Sequence, residues 1–309
     1  MTFKRLFTIV WVGILYLLTF HSISMGYDSD LYDMIETPEL ILIYPTSLQP
    51  VTSGIIKTYF QAKENLQEIF QWQLHGQVHL ILINNRQYFL QMAEHPLTVA
   101  FAESSRKRVI IDYQTANAHP FQLETTLQHE LCHLLLREHI PGHIPRWLNE
   151  GIAQWASEGI SEIIRPDGNI LQKATFSGNL IPFYRLERSF PMNSNDFVLA
   201  YEQSQSFVIY LVNRYGKPNF MHFLNEYKRG SSLYDAFNFT YQKSFRDLET
   251  EWVRSQTQFF SWILFLINNL YTFLFVGMAL VSIYGFIRMK RRKWMYPDDW
   301  DEEEDDDEG

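Results

Sequence analysis

Cysteine is almost absent from this 309-residue chain. Cys132 stands alone, so no disulfide can close within one molecule. Glycine and proline are sparse at 14 and 12 residues, which excludes collagen-like repeats and flexible low-complexity chain. A basic excess is missing as well. The formal net charge of −9 comes from one place, because ten of the 35 acidic residues fall within 298–308. Without that run the balance is 26 basic against 25 acidic, and five of the basic residues cluster at 288–293. The central stretch therefore lacks the basic footprint that nucleic-acid phosphates require, and a nucleic-acid partner is excluded. What the chain has in quantity is apolar surface. Hydrophobic residues make up 46% and aromatics 16%, enough to exclude disorder for the bulk of it and to fill a sizeable core.

Two long apolar runs place the chain at a membrane. Residues 6–20 come after Lys4 and Arg5 and precede the small residues Ser24 and Gly26, so 1–26 reads as a secretory signal peptide. An uncleaved signal anchor is the alternative, and either one exports the domain C-terminal to it. The second run, 259–287, has no charged residue and is long enough to span a bilayer with tilt to spare, although Asn268 and Asn269 interrupt it. Arg288, Lys290, Arg291, Arg292 and Lys293 come directly after it. By the positive-inside rule they put the tail, 288–309, in the cytoplasm. The localisation expected is a cell membrane, single-pass or two-pass, with 27–257 as an extracytoplasmic domain.

Within that domain, 39–44 and 78–83 read as strands, and 98–103 with 108–113 as a hairpin across Ser104-Ser105. Apolar spacing predicts helices over 51–72, 121–138, 145–157, 197–215, 218–229 and 244–258. Strands first and helices after predict an α+β domain with an N-terminal mixed sheet and a helical C-terminal half, followed by one C-terminal transmembrane helix. Residues 158–195, with scattered Gly, Pro and Ser, read as an irregular excursion.

The chemistry concentrates in His129-Glu130-Leu-Cys-His133. Histidines four apart on a helix project from one face and can reach one metal ion, while Glu130, about 100° round, stays free to handle a bound water. The leucines around them make a buried helix, where two histidines and a glutamate are costly without a purpose. Zinc needs a third protein ligand, leaving a fourth position for water. Two residues qualify. His139 sits where an HExxHxxGxxH pattern ends, but Leu136 occupies the place of its glycine. Glu150 lies in Pro145-Arg-Trp-Leu-Asn-Glu150-Gly-Ile-Ala, after a turn containing Pro141 and Gly142 that can fold a second helix back onto the first. Its apolar flanks Trp147, Leu148 and Ile152 favour Glu150. Cys132 faces off the line of the histidines and reads as a small core residue.

His129-Glu-Leu-Cys-His133 together with Trp147-Leu-Asn-Glu150-Gly-Ile-Ala resembles the peptidase MA-like family of gluzincin-type zinc peptidases. Weaker likenesses extend over about 39–256, in Arg108-Val-Ile-Ile-Asp112, in 180–191 and in Ala200-Tyr201-Glu-Gln-Ser204. The resemblance implies a zincin-like fold, one Zn²⁺ on His129, His133 and Glu150, and peptide hydrolysis with Glu130 as general base. One departure is Gln154, one turn after Glu150, where thermolysin-like gluzincins carry an Asp that orients a histidine ligand. Tyr201 is the candidate donor to the oxyanion, with His222 and Tyr184 weaker candidates. The activity expected is that of a membrane-anchored zinc metallopeptidase on a peptide or protein substrate. A non-catalytic zinc-binding module that holds a peptide partner is the alternative, and intact Glu130 argues against it. A third reading, a tethered interaction protein acting through the acidic tail, rests on the charge run alone.

Overall fold

The computed structural model describes residues 32–118, 122–159, 163 and 170–295; the predicted signal segment and the acidic tail lie outside them. Two compact units are present, one formed by residues up to 171 with 180–243, the other by 172–179 with 244 onward.

The first unit is built on a five-stranded sheet. Its strands are β1 (Tyr32–Glu36), β2 (Leu40–Pro45), β3 (Val78–Ile83), β4 (Ala100–Glu103) and β5 (Arg108–Asp112), arranged β1-β2-β3-β5-β4. The central strands β2, β3 and β5 run parallel, and the two edges are antiparallel. Parallel neighbours need a crossover. Between β2 and β3 it is helix α1 (Thr52–Phe70), which buries Ile55, Tyr59, Ala62, Leu66 and Phe70 at three- and four-residue spacing. The mixed sheet is as expected, but a crossover of this kind is not implied by strands first and helices after. The hairpin is also as expected: β4 and β5 pair across the turn 104–107, which Lys107 closes in the left-handed region.

A buried ion pair fixes the edge strand β4. Asp112, fully buried at the end of β5, accepts from Arg86 Nη1 at 3.0 Å and from Thr115 Oγ1 at 2.6 Å. The same guanidinium donates to the carbonyls of Thr98 and Pro96, both at 2.6 Å, so it clamps the segment entering β4. Arg86 opens the one-turn helix α2 (Arg86–Leu90), and the short α3 (Tyr113–Ala116) comes after β5.

The helices beyond the sheet are α4 (Leu123–His139), α5 (Arg146–Ala156), α6 (Ile170–Ser177), α7 (Ser194–Tyr215), α8 (Lys217–Lys228) and α9 (Leu233–Tyr241). Most of α6 belongs to the second unit and the others to the first. Of these helices, α6 and α9 are additional to the sequence prediction; α9 is started by Ser232, whose side chain accepts from the Asp235 N–H. Helix α5 lies unusually close to α7. A Cβ added at Gly151 would stand 2.5 Å from the Ser204 carbonyl oxygen and 2.8 Å from Val208 Cγ2. Trp147 and Phe183 are core, whereas Phe176 is exposed.

In the second unit, α10 (Phe245–Asn268) begins at a capping box in which Ser244 and Asp247 exchange hydrogen bonds. Asn269 ends it, and α11 (Leu270–Met295) starts again at once. The apolar stretch is therefore divided at the asparagines, and the part long and apolar enough to cross a membrane is Leu270–Arg291.

Two substitutions test this packing. Arg86→Met strands the buried Asp112 carboxylate and lowers unfolding stability by about 3 kcal/mol. Gly151→Ala forces α5 from α7 and costs about 2 kcal/mol. Chemical denaturation of the full chain in detergent measures both, and wild-type stability in either variant contradicts the contact assigned to it.

Candidate metal centre

Helix α4 is buried on nearly every side, His129 completely. Its end is turned back by a short loop in which Gly142 takes the left-handed region and Arg137 Nη1 donates to the Gly142 carbonyl at 2.6 Å. Tyr227 Oη pins the same loop through the His143 carbonyl at 2.7 Å. The chain then enters α5 at Pro145. Gln128, on α4, ties the two helices together by donating to the Ala156 carbonyl at 2.6 Å.

This return brings His129, His133 and Glu150 together. The two Nε2 atoms are 3.0 Å apart, and Glu150 Oε2 lies 3.5 Å from each. A tetrahedral zinc with ligands near 2.0–2.1 Å has ligand–ligand edges of about 3.3 Å, so the three atoms already outline one face of that tetrahedron. The donor set fits as well, two imidazoles and one carboxylate, the pattern of catalytic zinc sites that keep a position open.

Burial opposes charge on His133, but the Glu150 carboxylate outweighs it and raises the imidazole pKa above its ordinary value. Burial likewise opposes the Glu150 carboxylate, yet His133, the close approach of both imidazoles and Arg146 hold its pKa well below the usual range. Glu150 is therefore an anion at neutral pH. Burial pushes the Cys132 thiol far up, and this fully buried residue is the core position predicted for it.

The centre opens on a cleft of about 470 Å³. Glu130, His133 and Glu150 form its floor, β4 and its flanks from Thr98 to Ser104 one wall, and Tyr201 of α7 another part of the lining. Tyr201 is buried against Phe190 and Phe197. His222 and Tyr184 do not line this cleft. His222 stacks on Phe239, and Tyr184 is exposed beside Arg185.

His139 is elsewhere. Its Nε2 is 2.8 Å from the Gln73 carbonyl, its Nδ1 3.0 Å from Lys228 Nζ, and its ring stacks on Trp72. With His75 and Glu138 it makes a second cluster compact enough for an ion. Both ring nitrogens of His139 are already engaged, and Lys107 and Lys228 add positive charge, so this cluster is a structural knot. The hydrogen bond that Gln154 could accept from a histidine ring N–H is not made. Its amide is fully buried with neither polar atom hydrogen-bonded. Sequence reasoning also passed over Arg146 and Glu94, joined at 2.9 Å on the cleft rim. An arginine four residues before Glu150 on one helix face was the available signal for the first.

An α+β domain with two histidines on one helix and a glutamate on the next defines a class, the gluzincin-like metal domains. The family is given by the sequence match: the model of the Peptidase MA superfamily covers residues 75–258, and the chain belongs to that superfamily. Zinc and peptidase chemistry are attributes of the family. Among solved structures, the chain is similar to an M1 zinc metallopeptidase from Deinococcus radiodurans, crystallised as a point mutant, with 14% identity and a TM-score of 0.38. The alignment covers 73% of this chain and 51% of that one, so the chain spans about half its length. No curated protein matches the chain.

The second cluster carries a pH prediction. Burial works against the Glu138 carboxylate, but Lys107 and His75 pull its pKa down from the ordinary 4.5 to about 2. A depressed acid contributes stability that is present above its unfolded value and lost as pH falls through the folded one. Thermal unfolding between pH 4.5 and 2 should therefore show a steeper loss in wild type than in Glu138→Gln, and parallel curves would contradict the pairing.

Proposed function

We propose that this protein is a membrane-anchored zinc peptidase whose His129, His133 and Glu150 hold one Zn²⁺. The observation that carries the reading is the ligand triangle, with edges of 3.0, 3.5 and 3.5 Å on the floor of a cleft. Zinc bound there supplies a Lewis acid and lowers the pKa of a water. Glu130, in the same floor and on the next residue of the helix, takes the proton of the attacking water and passes it to the leaving amine. Tyr201 donates its hydroxyl hydrogen to the oxyanion as the carbonyl becomes tetrahedral. The substrate is a peptide or protein segment in extended form. β4 is an edge strand whose residues face the cleft, and adding a strand there binds main chain without demanding particular side chains. Leu270–Arg291 anchors the chain in the bilayer, with the basic cluster and tail on the cytoplasmic side and the catalytic domain outside.

Zinc content per full-length chain is the first test. Wild type and His139→Ala should each carry one zinc, and Glu150→Ala should lose it. Loss in His139→Ala with retention in Glu150→Ala would overturn the ligand set. Glu130→Gln should keep its zinc while peptide hydrolysis falls by about 100-fold or more. Unreduced cleavage in that variant rejects the mechanism. A zinc-loaded wild type that cleaves no member of a peptide library would leave the binding-module reading. Tyr201→Phe should lower kcat by about 100-fold with little change in KM; an unchanged kcat removes Tyr201 from the chemistry.

A further inference from the structure

Arg146 is a cleft residue to which the proposed mechanism gives no part. It opens α5 one turn before Glu150, and its side chain is 23% exposed. Four contacts hold it. Its N–H donates to the Glu187 carbonyl at 2.8 Å, and Nη1 bonds Glu94 Oε2 at 2.9 Å. The guanidinium carbon stands 4.9 Å from the Phe190 ring centroid. Nε lies 3.7 Å from Glu150 Oε1. The two oxygens of Glu150 thus have different neighbours: Oε2 faces both imidazoles at 3.5 Å, and Oε1 faces Arg146.

A glutamate side chain has several rotatable bonds and loses rotamer freedom when it is fixed. A planar guanidinium, itself stacked and hydrogen-bonded, is a preorganised partner for that purpose. We propose that Arg146 is a positioning residue for the metal centre, holding Glu150 Oε1 so that Oε2 alone is presented beside His129 and His133. The inference rests on Glu150 being a ligand, and it adds how that ligand is oriented.

Charge alone predicts the opposite behaviour. A cation this close to a divalent metal site repels the metal, so removing it would tighten binding. Glu94 offsets part of that repulsion by pairing with the guanidinium. Positioning and charge therefore differ in the sign of their effect on affinity, and the sign can be measured without any substrate.

The experiment uses the full chain in detergent, stripped of metal. Zinc affinity is read by competition with a chromophoric chelator, and the ligand geometry from the visible bands of the Co²⁺-loaded protein. Arg146→Gln should bind zinc about 10- to 100-fold more weakly and show altered cobalt bands. Arg146→Lys keeps the charge and loses the fork, so it should recover only part of the affinity. Arg188→Gln removes an exposed arginine from the same cleft and should stay within about threefold of wild type. Equal or tighter zinc binding by Arg146→Gln with an unchanged cobalt spectrum overturns the proposal. Should Arg146→Gln not fold, wild-type affinity in Arg146→Lys overturns it equally. A wild type that binds no zinc defeats the ligand reading and this inference with it, whereas tight wild-type binding that Arg146→Gln leaves intact defeats this inference alone.

Discussion

Everything in the first unit serves one expensive act, the placing of two imidazoles and a carboxylate within 3.5 Å of one another at the bottom of a cleft. Polar groups taken from water cost free energy unless they are partnered. Backbone order has to meet that cost, since no single side chain can. Gly151 is the clearest case. It stands directly after Glu150, and the closeness of α5 to α7 at Ser204 leaves no room for a Cβ. Gln128 joins α4 to the end of α5, and Gly142 turns the chain between them. The metal triangle is the product of a helix pair whose spacing is set by small and polar residues outside the triangle.

The same logic extends to the wall opposite. Among the described residues β4 is an edge strand paired with β5 alone, with the isolated bridge Thr98–Ile163 at its entry, and a strand of four residues is easily displaced. Arg86 prevents this by joining the carbonyls of Pro96 and Thr98 to the buried Asp112. Sheet edge and cleft floor are thus fixed by separate devices, and the position of the β4 wall does not depend on the candidate metal ligands.

Much of this was legible in the sequence. Strands β2 and β3 are aliphatic runs ended by Pro45 and by Asn84-Asn85, and α4 carries the candidate ligands His129 and His133 at the spacing only a helix makes useful. Glu150 could be favoured because a surface glutamate is rarely flanked by Trp147, Leu148 and Ile152. β1 was missed because it is exposed along nearly its whole length and shows no apolar alternation, Tyr32-Asp33-Met34-Ile35-Glu36, and only pairing with β2 makes it a strand. α9 is nine residues long and has its signal in the cap, Ser232-x-x-Asp235, more than in its period. The likeness of Gln154 to an orienting acid was a matter of position, and position on a helix does not guarantee that an amide reaches its neighbour. Arg146 escaped notice for the reverse reason. Its role depends on Glu94 and Phe190, which arrive from distant parts of the chain.

Charge in the cleft is arranged in pairs, and this bears on what the cleft can recognise. Glu103 at the end of β4 is bonded by Arg108, and Glu94 by Arg146. Each carboxylate on the walls that has such a partner attracts a passing cation less than a free one would. The floor differs, because Glu130 and Glu150 lie there beside His133, and that is where the candidate metal ligands converge. A site with charge-paired walls, an exposed strand edge and a strongly polar floor discriminates poorly among side chains and well between backbone conformations. On the proposed reading extended chain suits it better than helical chain, since only extended chain can offer alternate N–H and carbonyl groups to β4 while bringing one carbonyl down to the floor. On the same proposed reading, selectivity comes from whichever segments are presented in extended form, and the proposed tether at the membrane narrows those to chains exposed close to the bilayer.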